Sequence, residues 1–354
     1  MRSDFLYELN KQLPELFELQ QLIDRADNQI KSRVLTQVKC GSHTLPVYQL
    51  TLGSEDPTAP ALVLLGGVHG VERIGTQVLL AFLRSLLERL RWDKGLNAQL
   101  QQMTLIFVPL VNPGGMWMRR RCNPNGIDLM RNAPIESAER VLFLAGGHRL
   151  SRHLPWYRGK ANQPMEPEIN AVYQLVKTQL LQRPFCLSLD CHSGFGLTDR
   201  VWFPYARTRQ PIADLAVAYR LSRLFNKAHR HNTNYLFEPQ SSSYTTHGDV
   251  WDLLYDESRQ THPKHTFLPL TLEMGSWLWV KKNPRQLLRF VDLFNPTVPH
   301  RQNRVLRRHY ALIDFLMAAT RSYAEWLPQT AKQQRKDFNA GLKNWYSHSR
   351  KGNK

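Results

Sequence analysis

The 354-residue chain is poor in cysteine: Cys40, Cys122, Cys186 and Cys191 are the four present, and no two form a CxxC pair. This spacing excludes a disulfide framework. Cys186 and Cys191, five apart on one predicted strand, are expected to face opposite sides of a sheet. Uninterrupted apolar runs of 18 residues are also missing, so no transmembrane helix is predicted. The first residues alternate charges with leucines and lack the basic stretch, unbroken apolar segment and small-residue cleavage site of a secretion signal. No internal repeat is visible. Together these absences lead us to expect a soluble, cytoplasmic protein of a reducing compartment that has no membrane partner. Acidic residues are scarce as well, 29 Asp plus Glu against 47 Lys plus Arg, for a net charge of +18. The resulting positive field favours anionic partners or substrates without naming one.

What is present is a large apolar share, 42% hydrophobic and 10% aromatic, enough for a substantial core. Leucines at helical spacing predict an opening helix over 4–30, and β-rich runs around Gly41 and Ser42 predict a hairpin over 34–52. Apolar strand runs follow at 61–65, 104–109, 185–190 and 266–273. Helical patterns separate them at 75–90, 167–181 and 211–226. Strands buried on both faces and spaced by helices indicate an α/β fold with a mixed, mostly parallel central sheet flanked by helices. The stretch 112–165, rich in Gly, Pro, Asn and Arg, is too long for an ordinary connection and is read as functional. Residues 284–327 look mostly helical. We therefore expect one catalytic domain over 1–327 and a basic C-terminal extension over 328–354, the extension carrying seven basic and one acidic residue.

Three polar clusters end apolar strand runs, the edge at which open α/β sheets place ligands. They are Gly66-Gly67-Val68-His69-Gly70-Val71-Glu72, Asp190-Cys191-His192-Ser193-Gly194 and Glu273-Met274-Gly275. Two histidines and a glutamate are a standard ligand set for one catalytic Zn²⁺, with water in the fourth position. His69, Glu72 and His192 supply that set. Glu273 is left as a carboxylate able to take a proton from water. Asp190 serves either to orient a histidine or to cap a turn. Cys191 should point away from the site.

With Asn112-Pro-Gly-Gly115 and the run from Arg121 to Asn132, these motifs resemble the M14 family of zinc carboxypeptidases, the funnelins, and in particular its short bacterial branch. The resemblance spans roughly 60–280. It implies that His69, Glu72 and His192 bind zinc and that Glu273 is the general base. Arg121 matches the arginine facing the developing oxyanion, although Arg119 and Arg120 adjoin it and leave the register open. Arg131 matches the arginine that holds a C-terminal carboxylate, and Tyr244 the tyrosine of a closing loop. One position departs: the family commonly has Asn before the second arginine, whereas this chain has Met130, which cannot donate a hydrogen bond to a carboxylate.

The expected activity is that of a zinc metallopeptidase, probing peptides by their C-terminal end. Met130 motivates an alternative, a zinc amidohydrolase of acyl-amino acids similar to the succinylglutamate desuccinylase and aspartoacylase group. The charge motivates another, an inactive relative binding anions or nucleic acid. Oligomeric state is not legible in the sequence.

Overall fold

A computed structural model of the chain describes residues 2–26, 28–194, 196–231 and 234–347; residues 348–354 of the basic extension lie outside it. The strands are β1 (Lys31–Cys40), β2 (His43–Gly53), β3 (Ala61–Gly66), β4 (Thr104–Val108), β5 (Phe185–Gly194), β6 (Asp199–Phe203), β7 (Tyr235–Pro239) and β8 (Thr266–Gly275). They form one sheet in the order β1-β2-β4-β3-β5-β8-β6-β7. Strands β4, β3, β5 and β8 are mutually parallel. The β1–β2 hairpin joins β4 antiparallel, and β6 runs antiparallel to β8 with β7 parallel beside it.

Alternation along the strands divides the core in two. Leu62, Leu64, Phe107 and Leu187 face one side with the helices Arg73–Leu90 and Pro299–Arg321, while Val63, Leu65, Ile106 and Phe267 face the other with Pro167–Gln179 and Val250–Thr261. Helices on both faces are what bury β3, β4 and nearly all of β5 along their length. Cys186 and Cys191 fall on opposite faces, as their spacing requires, and all four cysteines are free.

The structure differs from the sequence reading in its local boundaries. The expected helix over 4–30 is two helices, Arg2–Gln12 and Pro14–Arg25, because Pro14 has no N–H to continue the first and instead opens the second. The helix expected from 211 begins at Leu215. Strands β5 and β8 run on to Gly194 and Gly275, so His192 stands within its strand rather than beyond it, and Glu273, expected to end its strand, is followed by two more strand residues. The long stretch after Asn112 has little regular structure, chiefly a short helix at Pro113–Trp117 and a 3₁₀ turn at Leu129–Arg131.

Part of the C-terminal extension is a helix, Ala331–Trp345, laid against the helix Leu215–Ala228. Arg220 pairs with Asp337, Trp345 donates its indole N–H to the carbonyl of Phe237 at 2.7 Å, and Gly341 lets Leu215 approach.

Candidate active site

Strand β3 delivers the chain to the sheet edge, and the turn that follows carries His69 and Glu72 into the start of the helix Arg73–Leu90. Strand β5 brings His192 to the same point. All three side chains are buried. Nδ1 of His69 lies 2.8 Å from Oε1 of Glu72, Nδ1 of His192 lies 3.0 Å from Oε2 of Glu72, and the two Nδ1 atoms are 3.2 Å apart. Ligands at zinc bond lengths in a tetrahedron stand about 3.3 Å from one another, so this triangle is close to the one such an ion requires. The donor set fits zinc in kind and in spacing. No other group of three His, Cys, Asp or Glu residues among the described residues converges in this way.

A second ring of polar groups fixes the first. Asp128 Oδ1 lies 3.1 Å from Nε2 of His69, and Asp190 Oδ2 lies 2.9 Å from Nε2 of His192. Carboxylates at the far nitrogen hold an imidazole in one orientation with its near nitrogen turned to a metal. Asp190 is itself held by the indole N–H of Trp251 at 3.0 Å. Arg121 donates to Asp128 at 2.9 Å and to Glu72 at 3.2 Å. Arg119 and Arg120 are exposed, so of the three consecutive arginines it is Arg121 that turns inward.

This ring decides the charge states. Burial works to raise the pKa of Glu72, but His69 and His192 outweigh it and hold the carboxyl below its ordinary range. Burial opposes ionisation of Asp128 too, and Arg121 with His69 overcomes it. Arg121 is held protonated against its own burial by Asp128 and Glu72.

Glu273 has the opposite fate. On β8 it is the Cα partner of His192 on β5, and on its other side it is the partner of Arg200 on β6, so the three share one rung of the sheet. A Cβ at position 194 would collide with Oε1 of Glu273, which is why glycine stands there. Burial first, and then the negative charge of Glu72, push the Glu273 carboxyl up to about 8. A glutamate in such surroundings has the proton affinity of a base that works near neutrality.

Beyond Glu273 opens a cavity of about 500 Å³, which Arg121, Arg131 and Tyr244 also line. Arg131 is buried and donates to the backbone carbonyls of Met130 at 3.1 Å and Ala145 at 3.3 Å. It makes no ion pair with Asp128, which belongs to Arg121 and His69. Gly248, at φ +70°, presses on the Arg131 carbonyl where any side chain would clash. Tyr244 follows the 3₁₀ turn Gln240–Ser242, lies within hydrogen-bonding reach of Arg131, and has its phenol pKa raised by burial. Met130 lines the cavity beside Arg131.

Sequence reasoning missed the contribution of β6, a short polar-led strand, and with it Arg200 and Trp202 on the cavity wall. It also missed Trp251 as the support of Asp190. The Gly-Asp-Val-Trp run was a local signal, since Asp249 caps the helix Val250–Thr261, but the indole's partner lies 61 residues away.

Comparison with known proteins bears on the family and the fold. The family model described as zinc carboxypeptidase matches residues 4–276. Carboxypeptidase E of Caenorhabditis elegans is 28% identical over 203 residues, covering 53% of this chain and 39% of the relative. The carboxypeptidase N catalytic chain of Rattus norvegicus is 26% identical over 247 residues, covering 63% and 50%. The chain thus spans half or less of the length of these relatives. Among solved structures, thrombin activatable fibrinolysis inhibitor superposes with a TM-score of 0.63 at 18% identity, covering 86% of this chain and 72% of that one. Carboxypeptidase A from Helicoverpa armigera gives 0.64 at 15% identity, covering 87% and 72%. At these identities the structures establish the shared fold.

Proposed function

The chain belongs to the zinc carboxypeptidase family, and from that premise we propose that it is a zinc-dependent metallopeptidase removing the C-terminal residue of a peptide. The observation that carries this reading is the joining of two arrangements in one cavity. A triangle of His69, Glu72 and His192 with Glu273 one strand away suits amide hydrolysis; Arg131, held by backbone carbonyls and ion-paired with no carboxylate among the described residues, suits a free carboxylate beside the scissile bond.

Bound by His69, Glu72 and His192, zinc supplies Lewis acidity, polarising a carbonyl oxygen and easing the loss of a proton from water. Glu273 accepts the proton of the attacking water and then passes it to the departing amine, both being tasks for a carboxyl that titrates near neutrality. Arg121, already protonated and braced by Asp128, offers fixed positive charge to the oxyanion as the carbonyl becomes tetrahedral. Arg131 clamps the terminal carboxylate through its planar fork, and the Tyr244 hydroxyl closes over it. Asp128 and Asp190 hold the imidazoles still. In this reading residues 1–327 are the catalytic domain, 328–354 extend it, and the free cysteines accord with a cytoplasmic setting.

A second reading rests on Met130. With a thioether where a carboxylate would be met by a donor, the same machinery suits an acyl-amino acid. Mass spectrometry of free-acid and amidated peptides and of acyl-amino acids, incubated with zinc-loaded enzyme and with Glu273→Gln as control, tests both. Stepwise loss of C-terminal residues from free-acid peptides alone is expected. Release of a free acyl acid with every peptide intact supports the second reading, and no turnover of either class with zinc bound sinks both.

A further inference from the structure

Three arginines line the cavity, and two have assigned tasks. Arg121 is bound to Asp128 and Glu72, and Arg131 faces the place of the terminal carboxylate. Arg200 remains. It occupies the rung shared by His192 and Glu273, so moving along that rung by one strand spacing of about 4.8 Å leads from metal ligand to base, and by a second from base to cation. The side chain of Arg200 therefore stands on the far side of the base from the metal triangle.

We infer that Arg200 selects a substrate whose C-terminal residue carries a second carboxylate on its side chain, an inference that rests on the carboxypeptidase reading. Two features support this. First, the guanidinium is oriented but not used up. Its Nη1 pairs with Glu238 and approaches Ser243 Oγ at 3.5 Å, while Nε and Nη2 have no protein partner among the described residues. One edge of a planar fork is anchored and the other is free, which is the geometry for a bidentate carboxylate. Glu238 does not compete for a basic side chain, because its Oε1 already takes Arg200, the indole N–H of Trp202 at 3.2 Å and the hydroxyl of Ser243 at 3.4 Å. It also lies behind the cavity wall, whereas Arg200 lines it.

Second, the wall bearing Arg200 is the wall of the carboxylate anchor. Tyr244, within reach of Arg131, meets the ring of Trp202 edge-on with centroids 6.0 Å apart, and Trp202 is two residues from Arg200 on the same strand face. A terminal residue clamped by Arg131 and Tyr244 thus has its side chain beside Trp202 and Arg200. Asp249 also borders this space with its Oδ1 taken by the N–H groups of Trp251 and Asp252; a preference for terminal Lys over terminal Glu would make its other oxygen, and not Arg200, the selecting group and overturn the inference.

The test compares acylated dipeptides ending in Glu, Gln, Phe or Lys, with further substrates carrying Glu one position earlier. Wild type, Arg200→Gln and Arg200→Lys, all zinc-loaded, are measured by kcat/KM, and binding of the same compounds is measured on zinc-loaded Glu273→Gln. Terminal Glu should exceed terminal Gln by roughly 10- to 100-fold, as expected for a charge-assisted pair. Arg200→Gln should bring that ratio close to one, and Arg200→Lys should leave it in between. A wild-type ratio near one, a ratio unmoved by Arg200→Gln, or a preference only for Glu one position earlier overturns the inference and leaves the proposed reaction standing. Acid-selective binding without turnover of any peptide upholds the pocket and removes the reaction; neither binding nor turnover removes both.

Discussion

Glu72 and Glu273 are glutamates lining the same cavity, yet the two corners that hold them treat a carboxyl in opposite ways. In the metal corner each acid meets a positive or polarisable partner: Glu72 has the two histidines and Arg121, and Asp128 has Arg121 and His69. There the carboxyls stay ionised against their burial. One strand over, burial and then the negative charge of Glu72 outweigh His192 and Arg121 and push the Glu273 carboxyl up to about 8. The lesson is that burial works to raise both carboxyls and the neighbouring charges decide whether that rise survives, so two environments a strand apart separate the proposed ligand from the proposed base.

The sharpest way to break this contrast is Glu273→Gln. It should lower kcat by roughly 10²- to 10⁴-fold while zinc content stays at one ion per chain, measured by elemental analysis beside the peptide assay. Loss of zinc would mean that the two corners are not separate. Next in size, Asp128→Asn removes a charge from the metal corner without touching a ligand. Zinc affinity, followed by competition with a chelator, should weaken roughly 10- to 100-fold, with activity restored by excess zinc. Unchanged affinity would show that Asp128 only braces Arg121.

On the substrate side, Met130→Asn adds a donor beside Arg131. It should lower KM for free-acid peptides roughly three- to tenfold and leave amidated peptides unaffected. A rise in KM would mean that the thioether is itself the substrate contact.

The smallest effect extends the contrast to a third glutamate. Glu168, buried near the loop that carries Asp128, has no ion-pair partner among the described residues; burial and then Glu166 raise its pKa to about 7, and Asn123 is its hydrogen-bond partner. Between pH 4.5 and 7 the folded chain keeps a proton that the unfolded chain has released. The stability from this group is therefore full below about 4.5 and falls as pH rises through the folded pKa. The melting temperature of wild type should drop relative to Glu168→Gln from pH 5 to pH 8, and parallel curves would remove Glu168 from the account.

These residues also show what a sequence makes legible. His69 and Glu72 could be read because three residues, one turn and a preceding apolar run are all local, and Glu273 because its strand is uniformly apolar. Which of Arg119, Arg120 and Arg121 turns inward was not legible, since Asp128 and Glu72 select it through loop contacts. Arg200 was hidden for a different reason. Its strand is short, and its nearness to Glu273 depends on an antiparallel register between segments 73 residues apart in number, 200 and 273, that no periodicity encodes. The sheet's parallel centre and its hairpin edge were legible from the pattern of apolar runs, whereas the antiparallel pairing of β6 with β8 was not.

The shared rung of His192, Glu273 and Arg200 ties chemistry to assembly. Side chains alternate faces along a strand, so sliding any of these strands by one residue turns its contribution to the opposite side of the sheet. A slipped β8 would retain an apolar residue at almost every position and would bury nearly as well, yet Glu273 would point into the core. Apolar burial alone therefore discriminates poorly between the two alignments, whereas a charged carboxyl forced among leucines discriminates strongly. Correct registration is thus written into the site itself, and recovery of zinc binding and turnover after refolding would report a strand alignment that circular dichroism cannot see.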